Sequence, residues 1–196
     1  MVEKKRPYSI MKTHFDIEKL IEKGIITNEL DYDRALIADR KLRLLAKDNL
    51  HFKNVRAKLR DLLERYESAQ WIDLDKIDDA KLLESVKTEH IAELERQFLE
   101  NRKLIIRKKL KELDLTQENL ATILGHKSKT HMSELMNGIK PFTLKDLVII
   151  NRLLKIDIDV LIPVFLSSED QLKVKEAIKK LDKPTLRLSS ADLVLH

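Results

Sequence analysis

Cysteine is absent from this 196-residue chain, and glycine and proline number only 3 and 4. The first absence excludes a disulfide framework, a thiolate zinc site and a cysteine nucleophile together. The second excludes most β-sandwiches and barrels, which need many tight turns. No apolar run approaches the roughly 20 residues of a membrane span. The N-terminal stretch MVEKKRPYSIMKTHFD starts basic but has no apolar h-region, so no secretory signal is readable. What the chain does hold is charge and aliphatic bulk: 36% charged and 43% hydrophobic residues. That mixture suits helices joined by short polar connections. The expectation is a soluble, cytoplasmic, all-α protein of one or two domains.

The net charge of +5 is unevenly spread. Residues 1–70 carry +4, residues 71–100 carry −5, residues 101–155 carry +7 and residues 156–196 carry −1. A basic block is the electrostatic footprint expected of a nucleic-acid binder, although a solvated surface produces the same count.

Periodicity divides the chain further. Asp16 is a reasonable N-cap for a helix that runs to Lys23 and stops at Gly24. The next pattern, from Asn28 to about Lys47, places Leu30, Ile37 and Leu44 on one face. A third, from about His51 to Ser68, carries Val55, Leu59, Leu62, Leu63 and Tyr66. The second and third read as an antiparallel helical hairpin joined at Asp48-Asn49. Residues 71–79, WIDLDKIDD, read as an acidic linker with Trp71 as an anchor. A long pattern follows with Leu83, Val86, Ile91, Leu94, Phe98, Leu104, Ile105 and Leu113, either one helix or two broken near Asn101. Beyond Pro163 a last helix is expected over about Glu169 to Leu181, with Ser168 and Gln171 as a capping box. Pro184 forbids its continuation, and the tail after it alternates briefly.

Residues 113–162 hold the most informative spacing. Thr116 can cap a short helix with Leu120 and Ile123, which ends at Gly125. Ser128 can cap the next, which carries Met132 and Leu135 and ends at Asn137-Gly138. Pro141 and Thr143 open a third with Leu144, Leu147, Ile150 and Leu154, and a turn over Asp157 to Leu161 closes the set. Two short helices joined by a tight Gly turn within a bundle of about five is helix-turn-helix architecture. Lys127, Ser128, Lys129, Thr130, Ser133 and Glu134 then line the start and outward face of its second helix. There they meet base edges and phosphates; a five-helix bundle with a solvated basic face is the alternative.

Leu115-Thr116-Gln117, Leu120-Ala121, Leu124-Gly125, Ser133-Glu134-Leu135, Asn137-Gly138 and Leu161-Ile162 resemble the Xre/Cro–repressor helix-turn-helix family over about residues 102–163. Gly125-His126-Lys127-Ser128-Lys129, Met132-Ser133-Glu134-Leu135, Tyr32-Asp33-Arg34-Ala35-Leu36 and Tyr66-Glu67 resemble HigA-type antitoxins more narrowly. The resemblance implies a lambda-repressor-like domain of five helices at 101–163, with a partner-binding helical region at 1–70 before it. Residues 71–100 form the acidic linker and connecting helix, and 164–196 the C-terminal helix and tail. Lys129, Thr130, Ser133 and Glu134 fall at base-contacting positions of the resembled family. Gln117, Lys127, Ser128 and Lys140 fall at phosphate-contacting ones. In one respect the chain departs from the family: Gly125 to Ser133 spans eight residues where about seven is usual, which lengthens the turn. Glu134 is also unusual there, either accepting from cytosine N4 or pairing with Lys129 or Lys127.

The implied partners are double-stranded operator DNA, a second copy of the chain, and a cognate RelE-like toxin of the HigB type; no membrane is implied. Tyr32, Leu36, Tyr66 and Trp71 are candidate toxin-facing anchors, because aromatic side chains favour interface cores; burial inside the helical hairpin accounts for them equally well. No catalytic, cofactor or metal site is expected. His126 and His131 are five apart, His90 lacks a second histidine four residues on, and neither a P-loop nor a G-x-S-x-G motif occurs. Two further readings stand beside the antitoxin. One is a stand-alone Xre-type regulator whose N-terminal helices oligomerise or sense a signal. The other is a helical interaction module without a DNA role.

Overall fold

The computed structural model describes residues 15–71, 79–163, 168–181 and 183. Among them it is all-helical, in the order α1 (Ile17–Lys23), α2 (Glu29–Leu45), α3 (Leu50–Trp71), α4 (Asp79–Glu112), α5 (Gln117–Leu124), α6 (Lys129–Asn137), α7 (Leu144–Leu154), α8 (Ile158–Leu161) and α9 (Ser168–Leu181). Most of the linker, the side chains of Trp71, Leu83, Ser168 and Gln171, and the tail beyond Lys183 lie outside the described residues.

Local signals start and stop these helices as their chemistry requires. Asp16, Asn28, Thr116, Ser128 and Thr143 each accept a hydrogen bond from the backbone N–H three residues on, satisfying a donor that the first turn leaves free. Thr116 with Asn119 and Thr143 with Asp146 form reciprocal capping boxes. Gly125 and Gly138 close α5 and α6 at φ 83° and 69°, a left-handed conformation that a Cβ would strain. Asp157 stands at the N-cap of α8 but makes no side-chain cap.

Two apolar cores result. One gathers Ile106 and Leu110 of α4 with Leu120, Leu124, Met132, Leu135, Leu147, Ile150 and Leu154. The other gathers Ile17, Leu20, Ala35, Ala38, Leu42, Phe52, Leu59 and Leu62 from α1–α3, and it is completed by Ile139, which follows α6. Burying each large aliphatic side chain is worth about 1.5–3 kcal/mol, so Ile139, 1% exposed, is a substantial graft from one unit into the other.

The long pattern before the helix-turn-helix is a single helix that runs unbroken through Asn101. Its inward face differs from the expected stripe. Val86, Leu104 and Leu113 are exposed, whereas Ala92, Arg102, Ile106 and Leu110 are buried. On α2 likewise Leu44 is 63% exposed, and the buried positions are Ala35, Ala38 and Leu42. Alanines let helices approach closely, so the packed face is the one with small residues rather than the one with the largest. The charged flanks reinforce that contact. Arg34 grips Glu95 through two nitrogens, with Nε 2.7 Å from Oε2, and Lys41 meets Glu100 at 2.9 Å.

Candidate nucleic-acid interface

The turn between α5 and α6 sets the geometry of the site. Gly125 reverses the chain, His126 N–H donates to the Ala121 carbonyl at 2.8 Å, and Ser128 Oγ accepts from the His131 N–H at 3.2 Å. The inner side of α6 is fixed by Met132 and Leu135, each 1% exposed. Its start is left open: Lys127, Ser128 and Lys129 are exposed and consecutive. Lys129 Nζ lies 2.7 Å from Glu118 Oε1, a solvent-facing pair that is cheap to open.

Gln117, Thr130 and Ser133 are half-buried along the same margin. Ser133 Oγ accepts from Asn137 Nδ2 at 3.3 Å, and Thr130 Oγ1 accepts from Asn49 Nδ2 at 3.5 Å. The exposed edge thus offers two ammonium groups, hydroxyls and the N-terminus of a helix. This is the chemistry that phosphates and base edges take.

Glu134 and Lys140 do not belong to that edge, contrary to the expectation of a base contact and a phosphate contact. Glu134 is 2% exposed and faces the N-terminal unit. His51 Nε2 lies 2.6 Å from its Oε1. Its Oε2 meets His131 Nδ1 at 3.2 Å and Lys140 Nζ at 3.1 Å. Neither Lys127 nor Lys129 pairs with it. Lys140 also reaches Glu18 at 2.6 Å. Burial pushes the Glu134 carboxyl up, but hydrogen bonds from Lys140, His51 and His131 outweigh it and hold it below the ordinary carboxylate range. Lys140 is held above its ordinary value, its burial more than offset by Glu18 and Glu134. A buried carboxylate is tolerated only when paired in this way.

Glu18, His51 and Glu134 come within 4.8 Å of one another, a set that would suit a metal. The Lys140 ammonium already lies against both carboxylates and supplies the positive charge.

Further ties converge on the exit of α6. Ile17 N–H donates to the Ile139 carbonyl at 3.1 Å. Lys41 Nζ donates to the Asn137 carbonyl at 2.9 Å, and Lys103 Nζ to Asn137 Oδ1 at 2.8 Å. Arg102, 4% exposed, donates to the Leu161 carbonyl at 3.2 Å between the rings of Phe98 and Phe142. Burial draws its guanidinium down to about 10, which leaves it charged at neutral pH. His51, Glu18, Lys41 and Arg102 carry no local signal of these roles, since their partners are remote in sequence.

Of the proposed partner anchors, Tyr32 and Leu36 sit on α2 and Tyr66 on α3. Tyr32 and Tyr66 stack with centroids 4.8 Å apart. Tyr32 donates to Glu67 at 2.8 Å and Tyr66 to Glu29 at 3.0 Å. Both hydroxyls are held above their ordinary value by burial and these carboxylates. Leu36 is half-buried against the same core.

A capped helix, a glycine turn and a second capped helix with a polar open edge, all on one core, define a helix-turn-helix nucleic-acid-binding fold. Comparison with protein families agrees: residues 106–161, under a third of the chain, match the family described as helix-turn-helix. This part of the chain is an Xre/Cro-type domain, the fold of DNA-binding regulators. No curated protein and no solved structure matches the chain. Among the described residues no helix is long and apolar enough to cross a membrane.

Proposed function

We propose that the protein is the antitoxin of a type II toxin–antitoxin pair, one that also represses its own operon by sequence-specific DNA binding. The observation that carries the DNA half is the run of exposed Lys127, Ser128 and Lys129 at the capped start of α6, in a domain of the regulator fold. The HigA-like strings on both sides of the chain, with a helical unit placed before the DNA-binding domain, support the toxin half. Two copies would set their α6 helices in successive major grooves about 34 Å apart. Lys129, Thr130 and Ser133 read bases there, while Gln117, Lys127 and Ser128 hold phosphates. Residues 1–70, with the Tyr32–Tyr66 pair, Leu36 and Trp71, receive the RelE-like toxin.

The test has two arms. Lys129→Ala combined with Thr130→Ala weakens binding to the protein's own promoter fragment while helical circular dichroism is retained; unchanged gel-shift affinity rejects α6 as the reading helix. Co-expression of the full chain with the neighbouring reading frame recovers a stable complex and relieves growth arrest. The full chain is required, because Ile139 completes the core of α1–α3. Promoter binding without any toxic neighbour favours the stand-alone regulator instead, a reading that the ties between α6 and α1–α3 also suit. A complete lack of promoter binding at low salt favours an interaction module.

A further inference from the structure

The corner between α2 and α3 touches the very edge of α6 that the DNA reading uses. Asn49 begins α3 by accepting from the N–H groups of His51 at 2.9 Å and Phe52 at 3.4 Å. Its amide nitrogen points the other way and donates to Thr130. One residue into the helix, His51 is bonded to Glu134. Two side-chain contacts thus tie the start of α3 to the first two turns of α6.

Two lysines flank Asn49 along the chain. Lys47 and Lys53 are exposed, and neither makes an ion pair among the described residues. Lys53 stands one helical turn beyond Asn49, its N–H bonded to the Asn49 carbonyl at 3.1 Å. Residues four apart share a helix face, which puts Lys53 on the side of α3 that Asn49 begins. Arg56, by contrast, is committed to Asp39 at 2.8 Å. Residues 43–54 contain Arg43, Lys47 and Lys53 against a single acid, Asp48. A surplus of unpaired positive charge beside a reading helix is what a duplex backbone attracts.

We propose that the α2–α3 corner is a second DNA-contacting element, in which Lys47 and Lys53 bind backbone phosphates beside the groove that α6 enters. The proposal rests on the DNA reading of α6. The N-terminal unit is then part of the DNA-binding surface as well as a partner-binding one. Neither lysine specifies sequence; both add affinity and its salt dependence.

Fluorescence anisotropy of the full-length protein tests this. The probes are a labelled duplex from immediately upstream of its reading frame and a mixed-sequence duplex, each titrated over a series of salt concentrations. Every phosphate contact contributes roughly 0.9 to the slope of log affinity against log salt. Lys47→Ala with Lys53→Ala is expected to bind both duplexes several-fold more weakly, with a slope about 2 shallower. Arg60→Ala with Arg65→Ala removes the same charge at positions roughly 10 and 18 Å farther along α3, and is expected to change neither quantity.

If Lys127→Ala with Lys129→Ala weakens binding but the Lys47/Lys53 pair changes neither affinity nor slope, the corner is no contact and the α6 reading survives. Tighter binding by the Lys47/Lys53 variant overturns the proposal too, since the corner would then screen the helix. A wild-type protein that binds neither duplex at low salt removes the DNA reading itself.

Discussion

The core of the helix-turn-helix domain closes on residues from 106 to 161, whereas the core of α1–α3 closes only with Ile139 from outside it. The N-terminal unit leans on the turn that leaves α6, and that turn is also where Ile17, Lys41, Lys103 and Glu18 arrive, while His51 meets Glu134 within the helix. A helix whose capped start is exposed therefore has its inner margin and exit held by the other unit. Whatever binds or loosens α1–α3 acts on α6 through contacts already present.

Substitutions can break this asymmetry in graded fashion. The largest effect is expected from Ile139→Ala, which removes a buried aliphatic side chain at a cost of about 3 kcal/mol. Hydrogen exchange should then show α1–α3 losing protection before α5–α7. The opposite order would place Ile139 in the wrong core.

Next comes Glu134→Ala, which strips the shared partner from His51, His131 and Lys140 and is expected to cost about 2 kcal/mol in denaturant unfolding. Its pH dependence has a definite sign. The folded carboxyl is held below its ordinary value, so its stabilisation is present above the unfolded value of about 4.3 and is lost as pH falls through the folded one. Glu134→Gln should flatten that acid limb in a urea series from neutral pH to pH 3. A limb identical to wild type contradicts the pairing.

Smaller still is Ser128→Ala, which deletes the cap of α6 and should cost about 1 kcal/mol, with faster exchange confined to the first turn of that helix. The smallest is Leu44→Ser, at a position 63% exposed and expected to change stability by no more than about 0.5 kcal/mol. A much larger loss would restore the Leu30–Ile37–Leu44 face as the packed one.

What could be read from the residues alone was whatever depends on near neighbours. Asp16, Asn28, Thr116, Ser128 and Thr143 cap within three residues, and Gly24, Gly125 and Gly138 stop helices through their own backbone angles. The exposed start of α6 follows from the same local logic.

What could not be read depends on remote partners. An apolar stripe does not say whether Leu44 or Ala38 faces inward, because close approach between α2 and α4 favours the smaller residue. Glu134 looked like a groove-facing acid because its relevant neighbours, His51 and Glu18, come from more than eighty residues away. Family positions carried Lys140 to a phosphate, yet in this chain Glu18 and Glu134 already neutralise it.

The most direct test of the open edge of α6 is hydroxyl-radical footprinting of the full-length protein on the duplex upstream of its own reading frame. The prediction is backbone protection in two patches about one helical turn apart, lost together with Lys127→Ala and Lys129→Ala while the helical signal stays intact. Cleavage that is uniform along the duplex at low salt, with folded wild-type protein in excess, would contradict it.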